Sequence, residues 1–126
     1  MIEHFKYLFY SLNGDRLFRV ADHLLMLRSM VPDGKAVRIA LSDTVEVCLT
    51  RTGNRFYCFV NKCPHQGLPL HQGECAEGTF TCPFHRHRFD LKTGTNQTFI
   101  QPEKLQMIPI LKLKSGVYLV LPKKKL

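Results

Sequence analysis

The sequence predicts an all-β fold, an antiparallel sandwich or partial barrel. Three observations carry this. From Val31 onward, apolar residues alternate with polar ones in short runs, the period-two pattern of half-buried strands. Compact turn signals separate the runs at short, even intervals: Pro32-Asp33-Gly34, Ser42-Asp43, Thr52-Gly53-Asn54 and Ser115-Gly116. A length of 126 residues suits one domain rather than two.

The elements follow in order. Over residues 1–30 two readings stand. Phe5, Leu8, Phe9 and Leu12 fit one helical face, whereas Asn13-Gly14 is a strong two-residue turn signal that would pair Tyr7–Leu12 with Arg16–Val20 in a hairpin. The hairpin is favoured. His23–Met30 reads as a strand or a helical turn. Val37, Ile39 and Leu41 alternate with Ala36, Arg38 and Ala40, and Val45, Val47 and Leu49 with Thr44, Glu46 and Cys48. Phe56, Cys58 and Val60 make the next strand. Residues 61–90 change character, because Gly67, Pro69, Gly73, Gly78 and Pro83 punctuate short pieces rich in His and Cys. Such loops on a rigid sheet are where binding chemistry is expected. Leu105–Lys114 reads as one strand with Pro109 as a bend or edge device, and Val117–Leu121 as the last.

Composition excludes several classes. With 44% hydrophobic and 22% charged residues the chain is near the globular average, unlike disordered or collagen-like chains. No apolar run approaches the roughly 20 residues of a membrane-spanning helix. The net charge of +8, from 18 basic and 10 acidic residues, favours an acidic partner. Lys123, Lys124 and Lys125 read as a solvated tail. No aromatic-lined basic stripe accompanies the charge, which argues against nucleic acid. Five cysteines, an odd number, exclude a fully paired disulfide framework. No secretory signal is read at Met1–Lys6. A reducing, cytoplasmic compartment is therefore expected, where clustered Cys more often binds metal or does redox chemistry.

Two segments carry the chemistry: Cys63-Pro64-His65 and Cys82-Pro83-Phe84-His85. Each offers one thiolate and one imidazole from a tight turn, together enough for a four-ligand centre. A zinc finger usually takes both Cys from one segment and both His from another. Here each segment is mixed. That suits a two-iron two-sulfur cluster with a Cys pair on one iron and a His pair on the other, held between two similar loops.

Cys63-Pro64-His65-Gln66-Gly67 and Cys82-Pro83-Phe84-His85, followed by Arg88-Phe89-Asp90 and Thr93-Gly94, resemble the Rieske iron–sulfur signature. The form most similar is the soluble Rieske-type ferredoxin of dioxygenase systems. The likeness covers about residues 30–122. It implies a [2Fe-2S] cluster with Cys63 and Cys82 on the buried iron and His65 and His85 on the exposed one. It implies a β-sandwich with a small cluster-binding subdomain, here about 61–91. The domain is assigned to 23–126, and 1–22 is an N-terminal extension without an assigned role. The resemblance implies a one-electron carrier that passes electrons from a reductase to an acceptor such as an oxygenase. No catalytic residues are assigned, and no catalysis by the chain alone is expected.

The sequence departs from the family in places. Gly-Ser often follows the second His ligand, where Arg86-His87 stands here. If that loop's backbone needs a positive φ, replacing the glycine is expected to disturb the loop without removing a ligand. High-potential Rieske proteins of respiratory complexes place a Ser and a Tyr hydroxyl near the cluster and link the loops by a disulfide. The corresponding positions are His87 and Phe89, and, for the disulfide, Leu68 and Phe84. A potential at the low end of the roughly −150 to +300 mV Rieske range is expected.

Other readings stay open. The four ligands could hold structural zinc in a binding module. The chain could be a small subunit or interaction module of a larger, nitrite-reductase-like enzyme. Cys48 and Cys58 read as small core residues, Cys75 as an ordinary loop position. His71 and His87 read as solvated loop residues or as contacts at an electron-transfer face. Lys62, Arg86, Arg88 and Lys92 read either as ordinary solvated groups, with Arg88 pairing Asp90, or as a basic rim facing an acidic partner.

Overall fold

The computed structural model describes residues 7–10, 14–64 and 66–122. Strands β1 (Tyr7–Tyr10) and β2 (Arg16–Ala21) are antiparallel, with Tyr10 opposite Arg16. The hairpin is thus observed, and Tyr7–Tyr10 is not helical. Asn13 of the expected turn lies outside the described residues. The division at residue 22 falls just after β2, which pairs along its length with the last strand and so belongs to the sandwich. Helix α1 (Leu24–Met30) follows, capped by His23, whose Nδ1 accepts from the Met26 N–H at 3.1 Å.

Strands β3 (Ala36–Ala40), β4 (Glu46–Thr52) and β5 (Arg55–Val60) form an antiparallel meander. The predicted turns close it. The Ser42 hydroxyl accepts from the N–H groups of Thr44 and Val45, and Thr52 faces Arg55 across a turn in which Gly53 has φ +63°. A small sheet of β6 (Glu74–Ala76), β7 (Thr79–Thr81) and β8 (Arg88–Asp90) comes next. The chain ends in β9 (Met107–Ile108), β10 (Ile110–Leu113) and β11 (Gly116–Leu121). The single strand expected over Leu105–Lys114 is therefore two. Pro109 has no N–H to give a ladder, and the chain changes sheets there: β9 pairs with β5 and β10 with β11.

The sheets are ordered β1-β2-β11-β10, β3-β4-β5-β9 and β6-β7-β8, so among the described residues no barrel closes. The two four-stranded sheets enclose one core. Phe18, Val20, Val117 and Leu119 come from one side, Ile39, Val47, Leu49 and Cys58 from the other, with Leu27 of α1. A second core lies on the far side of β4 and β5, where Cys48 and Phe59 meet Phe80, Phe89, Leu91 and Leu105. Phe59 and Phe80 pack edge to face at 5.0 Å. This second core corrects the reading of β4 as half-buried. Val47, Cys48, Leu49 and Thr50 are all buried, because the small subdomain covers the face that alternation would leave to water.

Cys48 and Cys58 are core residues, as expected. Cys75 is not an ordinary loop position: it is buried in β6, and its thiol donates to the Arg51 carbonyl at 3.3 Å. Burial pushes the Cys75 thiol up from the ordinary 9.0 to about 11, and raises the Cys48 and Cys58 thiols as well. A thiol that ionises less readily folded than unfolded contributes stability below its unfolded value. That contribution is lost as pH rises through the folded value. The thermal midpoint is therefore expected to fall between pH 9.0 and about 11. A midpoint that rises across that window in a pH-series melt contradicts this.

Candidate metal centre

The first loop leaves β5 at Asn61, and this side chain organises it. Asn61 Oδ1 accepts from the N–H groups of Leu70 at 2.6 Å and His71 at 3.1 Å, and from the Cys48 thiol at 3.1 Å. Its Nδ2 lies 3.2 Å from Glu46 Oε1 and 3.1 Å from His71 Nδ1. The two ends of the loop are thereby tied to each other and to β4. His71 is half-buried by these bonds, not a freely solvated loop residue.

Within the loop the backbone closes a small ring. The Cys63 N–H donates to Leu68 O at 2.7 Å, and the Gly67 N–H donates to Cys63 O at 2.6 Å. The second loop, between β7 and β8, repeats it. The Cys82 N–H donates to His87 O at 2.8 Å, and the Arg86 N–H to Cys82 O at 3.1 Å. Both rings turn through the left-handed region at the corresponding position, Gly67 at φ +73° and Arg86 at φ +60°. The second loop does need a positive φ, and Arg86 supplies it.

The rings bring the two cysteines together. Cys63 and Cys82 are buried, with Sγ atoms 3.9 Å apart and no disulfide. Two metal–sulfur bonds of about 2.3 Å at a tetrahedral angle place sulfurs about 3.8 Å apart, so the pair fits one thiolate-ligated metal. His85 is exposed at the tip of the second loop, and His65 lies outside the described residues. Among the described residues no three His, Cys, Asp or Glu side chains converge.

His87 departs from the solvated reading: it is 6% exposed. Its ring lies 6.5 Å from that of His85 and 5.0 Å from that of Phe99. Asn96 fixes it. Asn96 Oδ1 accepts from the N–H groups of Thr98 and Phe99 at 2.8 and 3.1 Å, which leaves Nδ2 to donate to His87 Nδ1 at 3.0 Å. His87 Nδ1 is thus an acceptor, and a proton on the neutral ring sits on Nε2. Asn61 and Asn96 carry no sequence signal of these roles, since loop Asn is commonplace.

Lys62, Arg86, Arg88 and Lys92 are all exposed. The ion pairs among the described residues are Arg19–Asp22, Lys35–Glu74 and Arg38–Glu46, and none uses these four. Among the described residues Arg88 and Asp90 form no ion pair, and Asp90 Oδ1 accepts from the Lys92 N–H at 2.7 Å. No helix among the described residues is long and apolar enough to cross a membrane.

Comparison with known proteins gives the same architecture. The chain is 32% identical over 73 residues to human apoptosis-inducing factor 3, a stretch that is 58% of this chain but only 12% of that protein. The ferredoxin of carbazole 1,9a-dioxygenase from Nocardioides aromaticivorans IC177 superposes with a TM-score of 0.63 at 28% identity, covering 83% of this chain and 96% of its own. A chain from the complex of reduced oxygenase and oxidized ferredoxin in carbazole 1,9a-dioxygenase superposes at 0.66 with 22% identity, covering 80% and 98%. The family model for the Rieske [2Fe-2S] domain matches residues 22–109, from the end of β2 to the sheet change at Pro109, and the chain belongs to that family.

Proposed function

We propose that the protein is a one-electron carrier whose [2Fe-2S] cluster is held by Cys63, His65, Cys82 and His85. The observation that carries this is the approach of two buried thiols, 3.9 Å apart, from two loops closed by the same backbone ring. When bound, the cluster supplies the exchange of a single electron at one iron. The chain does the rest. Leu70, Phe80, Phe89, Leu91 and Leu105 wall the cysteine end from water. His85 and the half-exposed Phe84 bring the other end to the surface, where an electron has a short path out. The exposed cations around the loops suit an acidic partner face and speed encounter. By likeness to the dioxygenase ferredoxins, the donor is a reductase and the acceptor an oxygenase.

Absorption and electron paramagnetic resonance spectra before and after reduction, with metal analysis, test this. Visible colour, iron with labile sulfide, and a signal appearing on reduction are expected. Zinc without iron would overturn the carrier and select the binding-module reading. Phe89, fully buried, has no hydroxyl to stabilise a reduced cluster, so redox titration is expected to give a midpoint at the low end of the roughly −150 to +300 mV Rieske range. A clearly high potential contradicts that. One observation favours a second reading, a module working within a larger redox enzyme: the matching segment is 12% of human apoptosis-inducing factor 3. A solitary monomer by light scattering that accepts electrons from a generic reductase argues against it.

A further inference from the structure

Arg86 is one of two non-glycine residues with a left-handed backbone among the described residues, at φ +60°, the other being Glu77 at φ +51°. That conformation strains an ordinary side-chain-bearing residue and costs glycine almost nothing. The first loop spends a glycine, Gly67, at the same place, and its absent Cβ would meet nothing. Strain of this kind persists only where the surrounding structure over-determines it, and it clusters at binding and active sites. The guanidinium is exposed and in no ion pair among the described residues.

Arg86 borders a polar groove of about 610 Å³ on the outer face of the small sheet. Thr79 and Thr81 line it, while Phe80 between them turns into the core. Gln97, held by the Thr79 hydroxyl at 3.1 Å, and Arg88, opposite Thr81 in the ladder, line it too. Glu74 and Glu77 also border the groove, but Lys35 holds Glu74 at 3.6 Å and Glu77 sits at the β6–β7 turn, away from Arg88. Two guanidinium groups in no ion pair among the described residues, on a groove also lined by Thr hydroxyls, supply the donors that recognise a carboxylate.

We infer that this groove, with Arg86 and Arg88 on its border, is the docking site for an acidic segment of the redox partner, and that Arg86 is kept in a strained backbone for that purpose. The inference rests on the carrier reading and narrows it: the partner approaches from the β6–β7–β8 side of His85, not evenly around the rim.

The probe is a labelled hexaglutamate peptide, read by fluorescence anisotropy against purified cluster-loaded protein at low salt, with hexaglutamine as the neutral control. Binding weakened by salt is expected. Arg88→Gln and Arg86→Gly each weaken it about threefold and the double variant about tenfold, while Lys112→Gln, exposed on β10 and away from the groove, leaves it unchanged. Arg86→Gly is also expected to raise the thermal midpoint by about 3–5 °C, so stability rises as docking falls. The inference is overturned if hexaglutamate binds no better than hexaglutamine, if Lys112→Gln weakens binding as much as Arg88→Gln, or if Arg86→Gly binds like the native protein. The visible spectrum reads the cluster separately. A coloured protein that ignores the peptide sinks the docking site alone, and a colourless one that binds it sinks the carrier alone.

Discussion

Cys82→Ser is expected to strip the protein of iron and bleach it. Cys82 is wholly buried, and its sulfur is one of the two brought within 3.9 Å. A serine hydroxyl ionises far less readily than a thiol and is a poor ligand for a soft metal. Nothing else near that position can replace it, since among the described residues no third metal-ligating side chain converges there. Iron content and visible absorption should drop to background. Cys75→Ser is the control. Cys75 is also buried in the second core, but its thiol is spent on the Arg51 carbonyl, so that variant is expected to keep its colour. Full iron in Cys82→Ser, or equal bleaching in Cys75→Ser, would contradict the assignment.

Asn61→Ala is expected to lower stability by about 2–3 kcal/mol, a thermal midpoint lower by about 10 °C. The alanine removes the shared acceptor of the Leu70 and His71 N–H groups and leaves Leu70, itself fully buried, with an unpaired donor beside it. The first loop then loses the tie between its ends, so iron should leave faster to a chelator. Asn61→Asp keeps the acceptor but sets a carboxylate against Glu46, where Asn61 Nδ2 now donates, and is expected to fall between the two. Thermal melts and chelator kinetics read both effects. Native-like behaviour of Asn61→Ala in both would show that the loop is held elsewhere.

Much of the fold was legible because strands in a one-sided sheet alternate visibly and turns need particular residues. Pro32-Asp33-Gly34, Thr52-Gly53-Asn54 and Pro109 each mark a real change of direction. β4 was misread because period two reports a difference between faces, and its two faces are both buried, by different cores. The cysteines of the candidate site were legible as a pair because thiolates and imidazoles in mixed, closely spaced segments have few other uses. The environment of His87 was not, since its burial depends on Phe99 and Asn96, which reach it from the loop after β8. Arg86 was half legible: the missing glycine could be noticed in the sequence, but only the backbone angle shows that its geometry was kept.

The two closing rings use main-chain atoms alone, from Cys63 to Leu68 and from Cys82 to His87. In the sequence the histidines follow at different offsets, His65 two residues after its cysteine and His85 three. The frame is thus indifferent to which donor atoms it carries. A scaffold of this kind can exchange its coordinating side chains without refolding, so related chains could retain the architecture while changing, or abandoning, the inorganic chemistry it once supported.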